Sequence, residues 1–189
     1  MYTTHAKRPN RNQTLSRFEQ HRHRALELFA LRGYGQVSLR QLAAELELTV
    51  GTLYHHCTCK EELLFEFIEE HYQALLALFD RRRRSPSLAM VLDGLWRMFE
   101  RSPLHFQVAL HNRHCLNGGY LERIEELRTC LARSLSTILL ETSGAARAYV
   151  FHDAALALFE QMPLWAPGEQ SFEIRRELYE RLLLATVDA

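Results

Sequence analysis

The chain is poor in the residues that punctuate sheets. Eight glycines and five prolines in 189 residues are too few for an all-β sandwich or a collagen-like repeat. Four cysteines spread over a chain of this length do not form a disulfide framework, and they point to a reducing cytoplasm. No apolar run approaches the ~18 residues of a membrane span, so no membrane partner is expected. The first 30 residues carry Arg8, Arg11, Arg17, Arg22 and Arg24 without a central apolar stretch, and do not read as a secretory signal. A phosphate-cradling glycine loop, a Gly-x-Ser-x-Gly elbow and a His-Glu-x-x-His pair are all missing, so nothing calls for an enzyme or a cofactor.

What is present is apolar residues in quantity, 47% of the chain with 24% charged, enough to fill a core. The formal net charge of zero conceals a division. Residues 1–60 hold nine basic residues (Lys7, Arg8, Arg11, Arg17, Arg22, Arg24, Arg32, Arg40, Lys60) and four acids (Glu19, Glu27, Glu45, Glu47), giving +5. The remaining 14 basic and 19 acidic residues give −5. A basic head on an acidic body suits a polyanionic partner, although ordinary surface charge would look the same.

The apolar residues recur at three-and-four spacing throughout, so the expected fold is all-α with about nine helices and no strands. A basic arm, residues 1–13, precedes the first helix. Ser16 with Glu19 reads as a capping box opening that helix, and Gly33 as its stop. Ser38 with Gln41 opens a second helix that buries Leu39, Leu42, Ala43 and Leu46. Thr49 caps a short third helix, Val50 to His56. Thr58 with Glu61 opens a fourth, carrying Leu63, Leu64, Phe67, Ile68, Leu75, Leu78 and Phe79. Ser85-Pro86 and Ser102-Pro103 read as starts of the fifth and sixth, because proline at the first helical position loses nothing. Gly118-Gly119 breaks the chain before a seventh helix with Leu121, Ile124, Leu127, Leu131, Leu135 and Ile138. An eighth covers about 144–162, closed by Pro163, Pro167 and Gly168. Ser171 opens a ninth, about 171–186, with Ile174, Leu178 and Leu182.

The chemistry concentrates in residues 38–60, SLRQLAAELELTVGTLYHHCTCK. Two short capped helices separated by a tight connection form a helix-turn-helix, whose second helix enters the DNA major groove. Ser38 and Thr49 sit at helix starts, where backbone N–H groups meet phosphate. Gly51 and Thr52, beside Val50, are small enough for close approach to bases. Tyr54 and His55 reach outward, His56 supports them, and Lys60 is placed to clamp a phosphate. Arg40 suits the O6/N7 acceptor pair of guanine.

These residues resemble the DNA-binding region of TetR-family (tetracycline-repressor-type) transcriptional regulators. The matching features are Ser38, Leu42-Ala43, Leu48-Thr49, Gly51-Thr52-Leu53-Tyr54, His56 and Lys60-Glu61-Glu62-Leu63, with Ala25, Leu28, Phe29 and Gly33 before them. Three positions depart from the pattern. Leu46-Glu47 stands where the family has Ala-Gly, so Glu47 must take the backbone that a glycine permits. Cys57 replaces an aromatic and makes a smaller plug.

The resemblance implies a DNA-binding domain at 14–60 and an effector-binding and dimerisation domain at 61–189. It also implies a repressor that binds a palindromic operator on double-stranded DNA as a homodimer through helices eight and nine. The run AYVFHDAALALF, residues 148–159, is apolar nearly all round and needs cover on more than one side. Ala154, Ala155 and Ala157 would allow close helix approach. The central helix of a monomeric bundle would have the same pattern. An unidentified small-molecule effector is implied within helices four to eight. Trp96, Phe99, Phe106, Leu110, Tyr149 and Phe159 are candidates for its apolar wall, with His111, His114 and His152 as polar points; taken one at a time, each aromatic is better accounted for by core packing.

Other clusters compete. His111-x-x-His114-Cys115 offers three metal ligands and an alternative identity as a helical metal-binding protein or enzyme, but lacks a fourth ligand, and no metal is expected. Cys57-x-Cys59 beside His55 and His56 is too tightly spaced for a zinc knuckle, and its use as a thiol switch needs exposure. Arg81 to Arg84 read as a solvated helix end, about 30 Å along the fourth helix from Lys60. Glu125, Arg128 and Arg133 read as surface charges.

Overall fold

The computed structural model describes residues 11–80, 86–143, 152–165 and 172–188. Among the described residues there are nine α-helices and no strand: α1 (Arg11–Arg32), α2 (Leu39–Glu45), α3 (Val50–Tyr54), α4 (Lys60–Ala77), α5 (Leu88–Arg101), α6 (Pro103–Asn112), α7 (Gly118–Ser143), α8 (His152–Trp165) and α9 (Phe172–Asp188). The chain divides into two compact units between Lys60 and Glu61.

The first unit contains α1 to α3. Its α1 begins at Arg11, five residues ahead of the expected Ser16 cap, so part of the expected arm is helical. Residues 1–10 of the arm lie outside the described residues. The helix stops where expected. Gly33 takes φ +80°, a conformation that costs glycine little, and its N–H donates to the Phe29 carbonyl at 3.1 Å. A single 3-10 turn, Tyr34–Gln36, follows, with the Tyr34 ring edge-on to Phe29 at 5.4 Å. Ala25, Leu26, Leu28, Phe29, Val37, Leu42, Ala43, Leu46, Leu53 and Cys57 are buried, whereas Leu39, expected inside, is half-exposed.

The second unit is a helical bundle. In it α7 packs on α8 and α9, α5 on α6, α7, α8 and α9, and α6 on α8. Several boundaries differ from expectation. The start of α5 is set by Ser87, whose side chain accepts from the Met90 N–H at 3.3 Å; Ser85 lies outside the described residues. Pro103 does occupy the first position of α6, but Ser102 makes no side-chain cap. Gly118, at φ +50°, is already the first residue of α7. Pro163 lies inside α8 instead of closing it. So near the C-terminal end it removes the donor of only one ladder bond. The stretch 144–151, expected as the start of the eighth helix, lies outside the described residues, as do Arg81 to Arg84, Pro167, Gly168 and Ser171.

A charged chain runs through this bundle. The buried Tyr72 hydroxyl of α4 donates to Glu160 Oε1 of α8 at 2.9 Å. Arg128 of α7 grips the same carboxylate with two N–H groups, at 3.0 and 3.1 Å. Its third contact, at 3.0 Å, is Glu125, which also accepts from Arg113 at 2.8 Å. Burial disfavours the Arg128 charge, but its bonds to Glu160 outweigh that and hold its pKa above the ordinary value. Burial, then the Glu160 charge, pushes Tyr72 well up. Arg128 is therefore a half-buried residue with 19% of its side chain exposed, tied into the bundle by its ion pairs where a freely solvated surface charge was expected.

Candidate nucleic-acid interface

Both short helices are held at their starts by the expected residues. Ser38 Oγ accepts from the Gln41 N–H at 3.2 Å, and Gln41 Oε1 accepts from the Ser38 N–H at 2.8 Å. That reciprocal pair closes the capping box. Thr49 Oγ1 accepts from the Thr52 N–H at 3.0 Å, and the two hydroxyl oxygens lie 2.8 Å apart.

The connection between α2 and α3 turns on one strained residue. Glu47 has φ +54° and is the positive-φ residue other than glycine among those described. Its N–H donates to the Ala44 carbonyl at 3.1 Å, and the Leu48 N–H donates to the Ala43 carbonyl at 2.8 Å. This is the Schellman pattern, which needs a left-handed residue just past the helix. Glu47 thus adopts the backbone that the resemblance assigned to glycine.

Inside the unit, α3 is anchored by Leu53 and Cys57, both nearly inaccessible. The Cys57 thiol donates to the Leu53 carbonyl at 3.7 Å, so it packs inward. Cys59 is half-buried. The opposite side of α3 faces outward. Gly51, Tyr54 and His55 are exposed, and Val50, Thr52 and His56 are partly so. Ser38, Arg40 and Thr49 are exposed as well. Burial, then the neighbouring His55, lowers the His56 pKa. A cation at His56 is therefore disfavoured, in keeping with a supporting role.

Lys60 departs from the expected phosphate clamp. Its ammonium donates to the carbonyls of Tyr34 and Val37, each at 2.8 Å. It also lies over the Tyr34 ring, 3.9 Å from the centroid. Charged donors on two carbonyls hold more strongly than neutral ones, so Lys60 fastens the segment between α1 and α2. Some of the basic excess is likewise used internally. Glu45 accepts from Arg32 at 2.9 Å and from Arg24 at 3.4 Å, and Arg24 also reaches Glu27 at 3.0 Å.

The candidate effector residues are differently disposed. Phe106 and Phe159 are fully buried. Phe106 packs edge-on to His71 at 4.6 Å and Phe99 at 5.4 Å; Phe159 lies 5.9 Å from Phe79. Trp96 is buried, donates to Glu100 at 2.9 Å and carries the Arg175 guanidinium 4.1 Å from its ring. Leu110 is half-exposed, and His111 and His114 are exposed. Tyr149 and the His152 side chain lie outside the described residues. The expected set is thus part core and part surface.

The metal alternative fares no better. His111 lies on α6, while His114 and Cys115 follow in a 3-10 turn, with Nε2 and Sγ 3.5 Å apart. They do not share one helical face. Among the described residues no three potential ligands converge, and no described helix is long and apolar enough to cross a membrane.

The exposed, capped α3 and the tight turn before it define a helix-turn-helix protein of the DNA-binding regulator class. Within that class, residues 22–67 match the family described as bacterial regulatory proteins, tetR family. The whole chain shares its fold with solved structures of such regulators. One is PfmR from Thermus thermophilus, with TM-score 0.73 and 22% identity over 90% of this chain and 98% of that one. A tetR-family regulatory protein from Rhodococcus gives 0.75 and 21% over 93% and 97%. AibR, solved with isovaleryl coenzyme A and operator DNA, gives 0.73 and 20% over 89% and 98%. No curated protein matches the sequence.

Proposed function

We propose that the chain is a transcriptional repressor that grips a palindromic operator as a homodimer and lets go when a small molecule binds. The DNA-binding domain is residues 14–60, the effector and dimerisation domain 61–189, and the setting the cytoplasm. The observation that carries this reading is the outward side of α3. It presents Gly51, Tyr54 and His55 to solvent while Leu53 holds the helix from within.

In the operator complex Ser38, Thr49 and Tyr54 hold phosphates, and Arg40, Thr52 and His55 read base edges. Gly51 and Val50 set the depth of approach, and His56 supports the helix. The arm, residues 1–13, enters a neighbouring minor groove. Two copies joined through α8 and α9 place their reading helices roughly 34–36 Å apart, one turn of the duplex. AibR was solved with both an acyl-coenzyme A and operator DNA, which supports the same double capacity here. An effector acts by binding the DNA-incompetent form more tightly, since equal affinity for both forms shifts nothing.

Recovery of bound genomic DNA, followed by selection from a randomised duplex library, tests the reading. A two-fold symmetric sequence is expected. Arg40→Ala should relax the preference at one base pair per half-site by ~1–3 kcal/mol. Retention of every preference would remove Arg40 from the readers, and binding without any preference would remove the repressor reading.

A further inference from the structure

A groove of about 550 Å³ runs between α7 and α8 in the second unit. That volume lies in the range of small-molecule sites. Its lining includes the buried Ala132, Leu156 and Ser136 together with Arg128 and Arg133.

Ser136 is out of character with its helix. Thr129, Ser134, Thr137, Thr142 and Ser143 of α7 each donate the side-chain hydroxyl to the carbonyl four residues back, at 2.8 to 3.0 Å. Ser136 is 1% exposed, yet its hydroxyl makes no such bond among the described residues. The hydroxyl oxygen is not fully enclosed, so it stays open to a bound acceptor or donor in the groove it lines.

The charges in the lining are unequal in the same direction. Arg128 is saturated by Glu160 and Glu125, and Glu125 by Arg113 and Arg128. Asp153, an exposed residue of the same lining, has an interaction of its own. Arg133 is exposed and has no ion pair among the described residues. The cation left to meet a ligand is thus Arg133, in one lining with the unbonded Ser136 hydroxyl and the apolar Ala132 and Leu156.

We infer that this groove binds a small organic anion with an apolar body. The carboxylate meets Arg133, an oxygen of the same molecule takes the Ser136 hydroxyl, and the hydrocarbon lies on Ala132 and Leu156. As the effector site, this rests on the proposed ligand response; as a binding site, it stands without it. It also relocates the ligand from the aromatic cluster around Phe106 to the α7–α8 surface.

Calorimetric titration of the full-length protein with octanoate, and with octanol as its uncharged counterpart, tests the site directly. Octanoate should bind and octanol about tenfold or more weakly. Arg133→Gln should bring octanoate down to the octanol level, and Ser136→Ala should weaken it about threefold. Ser136→Leu should fill the groove and abolish binding while helical circular dichroism and operator affinity persist. Absence of octanoate binding, or binding indifferent to Arg133→Gln and Ser136→Leu, overturns the site. So does a Ser136→Leu variant whose oligomeric state changes, since a second copy would then occupy the groove.

Operator release is read separately. Octanoate bound through Arg133 without release keeps the site and defeats its effector role. A compound that releases operator from wild type and Arg133→Gln alike keeps the ligand response and defeats this location for it.

Discussion

Gly51 is a glycine that the folded chain does not need. Its backbone is not left-handed, and a Cβ built there would meet nothing closer than Thr49 Oγ1 at 3.8 Å. Glycine inside a helix costs about 0.5–1 kcal/mol relative to alanine, and α3 has only five residues over which to absorb it. The gap in the surface makes sense if something outside the protein comes within a methyl's reach. Gly51→Ala should therefore raise the free energy of unfolding by about 0.5–1 kcal/mol in urea titrations and at the same time weaken operator binding. A variant that is both stabler and tighter would show that DNA does not approach this position closely.

His71 sets a different residue-level expectation. It is 2% exposed, and its Nδ1 makes no hydrogen bond. Burial, then the nearby His105, pulls its pKa down to about 3 from an ordinary 6.5. The folded state therefore resists a proton that the unfolded chain accepts. The stability this neutral imidazole contributes is complete above about pH 6.5 and is lost as pH falls toward 3. Between about pH 7.5 and about pH 5 the loss is up to about 2 kcal/mol. Denaturation at the two pH values should show that decrement in the wild type and little of it in His71→Phe. Equal decrements in both would place the acid sensitivity elsewhere.

At the scale of elements, Lys60 belongs to α4 yet fastens the chain ahead of α2. Replacing it by methionine keeps the stem and deletes the charge. That leaves the Tyr34 and Val37 carbonyls without their donor, so Lys60→Met should cost about 1–3 kcal/mol in unfolding free energy. The slope of operator affinity against salt should stay close to the wild-type value, because the ammonium is engaged by carbonyls. A slope reduced by about one would mean that Lys60 neutralises a phosphate after all.

The elements differ in how far the sequence discloses them. Ser38, Gln41 and Thr49 announce α2 and α3, because a cap acts over three residues and local sequence is all it requires. Gly33 announces the end of α1 for the same reason. Glu47 is legible only through the resemblance, since nothing local marks a glutamate as left-handed. Starts written as Ser-Pro are less dependable: Ser87 takes the cap expected of Ser85, one turn residue being much like another until the backbone is fixed. The role of Lys60 is hidden because its carbonyl partners lie 23 and 26 positions earlier, beyond any spacing rule. Tyr72, Arg128 and Glu160 escape notice as a set because they meet across three helices. The apolar run around Glu160 is the available hint.

For the whole molecule, the exposed apolar residues of α9 matter most. Ile174, Leu178 and Leu182 are 57%, 49% and 39% exposed, and their spacing of four places them along one side of the helix. Isolated exposed leucines are ordinary; three in register form a stripe of the kind that subunit contacts cover. In the proposed dimer this stripe lies within the α8–α9 contact. Leu178→Glu should convert the dimer to monomer in light scattering at micromolar concentration, with helical content unchanged. Operator affinity should fall steeply, because two half-sites are then no longer held together. A Leu178→Glu protein that stays dimeric would move the contact to another surface.

The Tyr72–Glu160–Arg128 chain bears on how such a protein drifts over generations. Removing Arg128 leaves the buried Glu160 carboxylate without its cation at a cost of about 3–5 kcal/mol, whereas exchanging the whole set for hydrocarbon of similar volume is close to neutral. Lineages descended from this chain should therefore keep Arg128 wherever Glu160 is kept. Chains with Glu160 and no cation opposite it would be scarce, a linked inheritance written into positions 32 residues apart.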